Sequence, residues 1–144
     1  MKQNITKTSD TKKMAALIKK ALSGGDVIGL IGPLGAGKTT FTQCLAKQLG
    51  VTKPVNSPTF NIVKIYQTNH SQIKKLIHID AYRLSSGQEL EFLGVEEYFV
   101  DNSALTIIEW ADKVMDILPS KTHLLKFSLI GRKRFLQLPK HYCK

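Results

Sequence analysis

A three-layer α/β sandwich built on a mixed parallel and antiparallel sheet is the fold this sequence predicts. Three observations carry it. An apolar strand, Val27-Ile-Gly-Leu-Ile31, runs into a glycine-rich turn and then a helix. Two further apolar runs, Leu76-Ile-His-Ile-Asp80 and Ala104-Leu-Thr-Ile-Ile-Glu109, each end on a carboxylate. Helical periodicity on both sides of the first strand sets helices between strands, the alternation expected of an α/β domain.

The glycine-rich turn is specific. Gly32 to Thr39 fits G-x-x-x-x-G-K-S/T, the P-loop. Its glycines allow backbone conformations in which consecutive N–H groups point into one concavity. That concavity opens at a helix N-terminus, where unpaired N–H groups and the helix dipole favour a phosphate. Lys38 adds a full positive charge beside the outer phosphates, and the Thr39 hydroxyl can ligate Mg²⁺. A chance match is countered by the flanks: the strand precedes, and Phe41, Leu45 and Leu49 follow at i, i+4, i+8.

The remaining elements follow in order. Residues 9–22 read as an amphipathic helix capped by Ser9 or Asp10 and ended by Gly24 and Gly25. A second helix spans 38–49, with Gly50 as its stop. The loop Val51 to Thr59 holds two prolines and hydroxyl side chains, so it is neither helix nor core. It lies where switch loops of nucleotide hydrolases lie, and Ser57 and Thr59 are candidates to sense a γ-phosphate or its metal; an ordinary turn is the plainer reading of composition alone. Residues 60–66 read as a strand that forms a hairpin with 76–80. Residues 88–100 read as two helical turns interrupted at Gly94, and their acids make a negative surface. Strand 104–110, a short helix over 112–118 stopped by Pro119, and a hairpin of 124–130 and 134–138 through Gly131-Arg132-Lys133 complete the chain. The last residues read as frayed.

Size and composition set bounds. The 144 residues suit one domain, 1–144, with a real core. No apolar run approaches the ~20 residues needed to cross a bilayer, and the N-terminal residues lack the apolar centre of a signal peptide. Two cysteines make no disulfide framework. Cys44 reads as a small core residue and Cys143 as an exposed thiol on a loose end. A soluble cytoplasmic protein is expected. The formal charge is +10, unevenly spread: residues 121–144 hold seven Lys or Arg and no acid, whereas 80–116 hold nine of the eleven acids. A basic end can meet nucleic acid or an acidic protein. A solvated basic face is the plainer reading, since no stacking aromatics interleave the basic residues.

A P-loop needs a further carboxylate for Mg²⁺ or its waters, and in this fold ligands sit outside the carboxyl ends of the strands. Asp80 and Glu109 alone qualify. One would hold the metal and the other would orient the attacking water or a metal-bound water; the residues alone leave the assignment open. His78 shares a strand face with Asp80 and reads as structural rather than as a base, because phosphoryl transfer relies on positioning and charge. Trp110 reads as core, or as a partner contact. Arg83 reads as a surface salt bridge, or as a phosphate neutraliser. No Asn-Lys-x-Asp follows a strand and no D-x-x-G follows Asp80, which excludes an ordinary GTPase. The arginine-rich lid of a small-molecule kinase is also missing. ATP hydrolysis coupled to a partner is favoured; a nucleotide-gated assembly factor and a small-molecule kinase are the competing classes.

The motifs, taken in order, resemble one family. Gly35-Ala-Gly-Lys-Thr-Thr40, Asn56-Ser-Pro-Thr-Phe60, His78-Ile-Asp80-Ala-Tyr-Arg-Leu84, Glu89-Leu-Glu-Phe-Leu-Gly94 and Ile108-Glu109-Trp110 look like the TsaE (formerly YjeE) family. The resemblance runs from the first helix to the C-terminal hairpin and is weakest after Trp110. It implies a bacterial P-loop ATPase, weak alone and stimulated by a partner. Such a protein is needed for the threonylcarbamoyl modification of adenosine (t6A) beside the anticodon in tRNAs that read codons beginning with A. It implies action with the TsaB–TsaD complex, which performs the transfer, and so proximity to tRNA. Position by position, Gly35, Ala36, Gly37, Lys38, Thr39 and Thr40 would bind ATP phosphates, and Thr39 and Glu109 would hold Mg²⁺. Asp80 matches a carboxylate important for hydrolysis, so Lys38, Asp80 and Glu109 form the implied catalytic set. Ser57 and Thr59 match the switch-like Ser-Pro-Thr motif. Thr8 and Gly131 fall where the family contacts nucleotide near the base, and Phe60 stands where related chains carry tyrosine.

Overall fold

The computed structural model describes residues 2–58 and 60–143, the side chain of Cys143 excepted. The readings made above for Thr59 and for the Cys143 thiol lie outside the described residues. Among the described residues, seven strands form one mixed sheet. In chain order the main elements are β1 (Lys2–Asn4), α1 (Thr8–Lys19), β2 (Val27–Ile31), α2 (Lys38–Gln48), β3 (Val63–Gln67), β4 (Lys75–Asp80), α3 (Gly87–Phe92), α4 (Glu96–Phe99), β5 (Ala104–Glu109), β6 (His123–Ile130) and β7 (Lys133–Gln137). The spatial order is β1-β7-β6-β2-β5-β4-β3. β6, β2, β5 and β4 run parallel, and β3, β7 and β1 join antiparallel at the two sides.

The alternation of each central strand sorts its side chains between two layers. Ile28, Leu30, Leu105, Ile107 and Leu76 pack under α1 and α2 against Ile18, Phe41 and Leu45. Val27, Ile77, Ile79, Ala104 and Ile108 face the other way, against Leu90, Val95, Ala111 and Val114. The second layer covers β4, β5 and β2. His78, Asp80 and Glu109 lie on the α2 face at positions that alternation otherwise gives to core residues, and all three are buried.

Several expected boundaries move. β3 begins at Val63 rather than Phe60, because Ile62 takes φ +61° and cannot continue an extended strand. The first helix starts at Thr8, and its cap position is Lys7, without a side-chain cap from Ser9 or Asp10. The 112–118 helix is instead two 3-10 turns, Ala111–Lys113 and Met115–Ile117. The C-terminal residues expected to fray form a 3-10 turn, Lys140–Cys143, anchored by buried Tyr142. One strand was not expected. β1 is polar and shows no apolar alternation, yet its backbone pairs with β7 from Lys2↔Gln137 to Asn4↔Phe135.

The Tyr142 hydroxyl lies 2.8 Å from His123 Nδ1, and His141 Nε2 lies 3.2 Å from the same atom. Burial pushes His123 below its ordinary value of 6.5; Asp26 works against that shift and His141 adds to it. The unfolded chain therefore binds the His123 proton more readily, and stability rises with pH through the window just below 6.5. Urea midpoints should fall as pH drops through that window, and His123→Gln should flatten the slope.

Gly24 gives a second check on the fold. A Cβ there would meet the Asn102 carbonyl oxygen, a backbone atom, at 1.8 Å. Gly24→Ala should therefore destabilise the fold by about 1–3 kcal/mol, read as a lower urea midpoint with an unchanged denaturant slope.

Candidate functional site

β2 delivers the chain to the C-terminal end of the parallel strands, and the loop 32–37 turns it into α2. Gly35 and Gly37 take φ +80° and +106°, values that L side chains rarely adopt. The Phe41 N–H bonds the Gly37 carbonyl at 2.9 Å and so starts the helix. The glycine-rich loop thus ends at a helix N-terminus, whose unpaired N–H groups suit an anion. Lys38 is 4% exposed. Its ammonium donates to the Gly32 and Pro33 carbonyls at 2.5 and 2.9 Å and lies 4.1 Å from the Trp110 ring centroid. Burial lowers the Lys38 pKa, while Glu109, Asp112 and Asp80 oppose the shift.

Parallel pairing of β4 with β5 sets Asp80 opposite Glu109. The Thr39 hydroxyl donates to Glu109 Oε1 at 2.8 Å, and His78 Nε2 lies 2.6 Å from Glu109 Oε2. Asp80 is held separately: the Ser57 hydroxyl donates to Oδ2 at 2.6 Å and the Tyr82 N–H to Oδ1 at 3.0 Å. Trp110 follows in the left-handed region at φ +59°. A non-glycine residue there carries strain of about 1–3 kcal/mol, and the bend turns the chain out of β5 and sets the indole over Lys38.

These groups line one cleft of about 450 Å³. Its lining joins the P-loop and first helical turn (Leu34, Gly35, Gly37, Lys38, Thr39 and Thr40) to Ser57, Asp80 and Glu109 and to Tyr82, Trp110 and Arg134. Ala36 is buried within the loop and does not line the cleft. Thr8 and Gly131 do not line it either. Thr8 opens α1 just after β1, and Gly131 sits in the β6–β7 turn. The neighbouring pair Thr6 and Arg134 meets at this side, the Arg134 N–H donating to the Thr6 hydroxyl at 3.0 Å.

Two contacts escaped the sequence reading. Arg134 Nε donates to the Gly35 carbonyl at 2.8 Å across 99 positions; no local pattern marks it apart from the basic run. His78 meets Glu109 only through strand pairing. Arg83 lies 5.2 Å from the exposed Phe60 ring, not in a carboxylate pair.

The donor set suits Mg²⁺, which takes hard oxygen ligands and keeps several waters. A hydroxyl and a carboxylate, bonded to each other beside the P-loop, have that chemistry. Among the described residues no group of three or more His, Cys, Asp or Glu forms a cage made of protein alone, and a nucleotide-bound ion requires none.

The fold and this cleft define a P-loop protein of the nucleotide-binding class. The family model described as "Threonylcarbamoyl adenosine biosynthesis protein TsaE" matches residues 5–135. The chain belongs to the TsaE family. Proteins named "tRNA threonylcarbamoyladenosine biosynthesis protein TsaE" are similar to it. The one from Bacillus subtilis (strain 168) is 40% identical over 84% of this chain and 73% of its own length. The one from Aquifex aeolicus (strain VF5) is 44% identical over 76% and 77%, respectively. The crystal structure of Bacillus subtilis YdiB superposes with a TM-score of 0.76 at 32% identity, covering 99% of this chain and 88% of that one.

Trp110 is the one tryptophan, so its emission reports on Lys38. Lys38→Met should shift the emission maximum of the protein alone, and a fluorescence titration with nucleotide should change the wild-type emission but not that of the variant.

Proposed function

We propose that this protein binds Mg-ATP in the cleft and hydrolyses it slowly in support of tRNA threonylcarbamoyladenosine formation. The observation that carries the reading is the pair of strand-end carboxylates beside the P-loop, Glu109 bonded to Thr39 and Asp80 bonded to Ser57. Family membership supplies the pathway. Adenine preference and the TsaB–TsaD complex as partner follow from the resemblance. So does a working place in the cytoplasm close to tRNA. No helix among the described residues is long and apolar enough to cross a membrane.

The loop amides from Gly35 to Thr40 and the Lys38 ammonium would bind the β- and γ-phosphates. To do so, Lys38 exchanges its carbonyl partners for phosphate oxygens, which is favourable because a buried ammonium gains a charged acceptor. Thr39 and Glu109 would hold Mg²⁺, which when bound neutralises charge on the phosphate oxygens. Asp80, fixed on both oxygens, keeps spare lone pairs with which to orient water. Hydrolysis then forms a bond from that water's oxygen to the γ-phosphorus and breaks the bond to the β–γ bridging oxygen, leaving ADP and phosphate. Arg134 would flank the rest of the nucleotide, with Thr8 and Gly131, which lie outside the cleft lining, as candidates to meet its base end. A partner that completes the cleft would explain a slow intrinsic rate.

The Ser57–Asp80 bond also favours a second reading. It ties the 51–62 loop to a hydrolytic carboxylate, so the bound state of the nucleotide can set the loop and gate assembly. Reconstituted tRNA modification with Glu109→Ala and Asp80→Ala separates the two. The enzyme reading expects ATP hydrolysis to fall on the order of 10²-fold and multiple-turnover modification to fall with it, ATP being preferred to GTP. Modification that survives repeated turnovers without hydrolysis would leave only the gating role.

A further inference from the structure

His78 is fully buried, one turn of alternation before Asp80 on the α2 face of β4. Its neighbour across the sheet is Ile107, and Glu109 stands two residues beyond that partner on the same face. The Nε2 atom comes within 2.6 Å of Glu109 Oε2, in a contact where the His78 and Glu109 side chains are 0% and 4% exposed. The other carboxylate oxygen accepts from Thr39. Nδ1 is buried and has no hydrogen-bond partner. The tautomer with its hydrogen on Nε2 is therefore the one that gives Glu109 a donor and leaves no N–H unpaired.

A carboxylate at a strand end has two side-chain torsions beyond χ1 and can turn away from a ligand. Fixing one oxygen on a buried ring removes that freedom and leaves the other directed at Thr39. From this geometry we propose that His78 is a positioning residue. It holds Glu109 Oε2 so that Oε1 and the Thr39 hydroxyl face the cleft as one magnesium-ligating pair. The proposal rests on the Mg-ATP reading above. Removing a partner that orients a ligating group lowers metal affinity by about 10–100-fold. Binding of the nucleotide without metal depends on the loop amides and Lys38, which His78 does not touch.

Two variants test this with the full chain. In His78→Gln the amide nitrogen reaches close to the position of Nε2; in His78→Asn, one methylene shorter, it does not. Calorimetric titration of ATP at a series of Mg²⁺ concentrations, and in EDTA, reads the metal requirement directly. The expected result is a Mg²⁺ half-point raised about 10–100-fold in His78→Asn, largely restored in His78→Gln, with ATP affinity in EDTA unchanged in both. Equal half-points in His78→Asn and wild type would overturn the proposal. So would affinities that fall equally with and without Mg²⁺, because that is the mark of a purely structural role. His78→Leu, checked for a cooperative thermal transition, provides a third variant and should behave as His78→Asn. Wild-type protein that binds ATP no more tightly with Mg²⁺ than in EDTA would overturn the Mg-ATP reading as well, which sets that failure apart from a failure of His78 alone.

Discussion

One carboxylate, that of Glu109, joins the phosphate-cradling loop to the sheet. Its two oxygens are bonded from opposite directions, by Thr39 at the start of α2 and by His78 from β4. A buried charge is tolerated only when it is hydrogen-bonded, so this double attachment is a condition of the fold as well as a feature of the site. It depends on register. Leu30 of β2 and Asp80 of β4 both pair with Glu109. A slip of one residue would send every side chain of a strand to the other face; in β4 it would place His78 and Asp80 in the layer under α3 and take from Glu109 Oε2 its histidine partner. The apolar residues on both faces of β4 and β5 forbid that slip. Core packing thereby fixes the chemistry of the cleft.

Asp80 is tied to a loop rather than to a helix. Bonds between that loop and the rest include Gln43 to the Val55 carbonyl, Ser57 to Asp80 and the Asp80 N–H to the Ile62 carbonyl, and Val51 and Val55 are buried in the core. Its end is strained, with β-branched Ile62 at φ +61°. Backbone strain of this kind persists only while its surroundings hold it. The carboxylate of Glu109 is clamped by a helix and a strand, whereas that of Asp80 is clamped by a loop. The two acids therefore differ in what a change at the γ-phosphate can displace.

The parts of this arrangement legible in the sequence were those with a local signal. The P-loop has its spacing, and Asp80 and Glu109 could be singled out because each ends an apolar run. The hairpin β6–β7 was written in its alternation and its glycine. The contact between His78 and Glu109 was not legible, because it arises from pairing across 31 positions; alternation gave the face of His78 but not its partner. Arg134 reaches Gly35 over a still longer span. β1 escaped because an edge strand of Lys, Gln and Asn is held by backbone bonds, which leave no pattern in the side chains. Ile62 was misread as strand because β-branched residues favour extended backbone, and here the fit of the turn to Asp80 overrides that preference.

The uneven charge gains a spatial meaning from the strand order. β6, β7 and β1 form one end of the sheet and carry exposed Lys126, Lys133 and Arg132, whereas α3 and α4 cover β4 and β5 with Glu89, Glu91, Glu96 and Glu97. The P-loop leaves β2, which lies between the two. Arg134 brings the basic end to the lining of the cleft, and Asp80 and Glu109 bring acids to it. Fields of exposed charges fade over about 8–10 Å at physiological salt, so each end acts on what lies close to it. On the Mg-ATP reading, a polyphosphate would meet the basic side chains first, and the two acids would act on the cation that accompanies it. A metal-free polyphosphate would meet Glu109 and Asp80 as like charges at close range. On that reading the cleft would favour a nucleotide that arrives with its counter-charge, through the same carboxylates that the strand register holds in place.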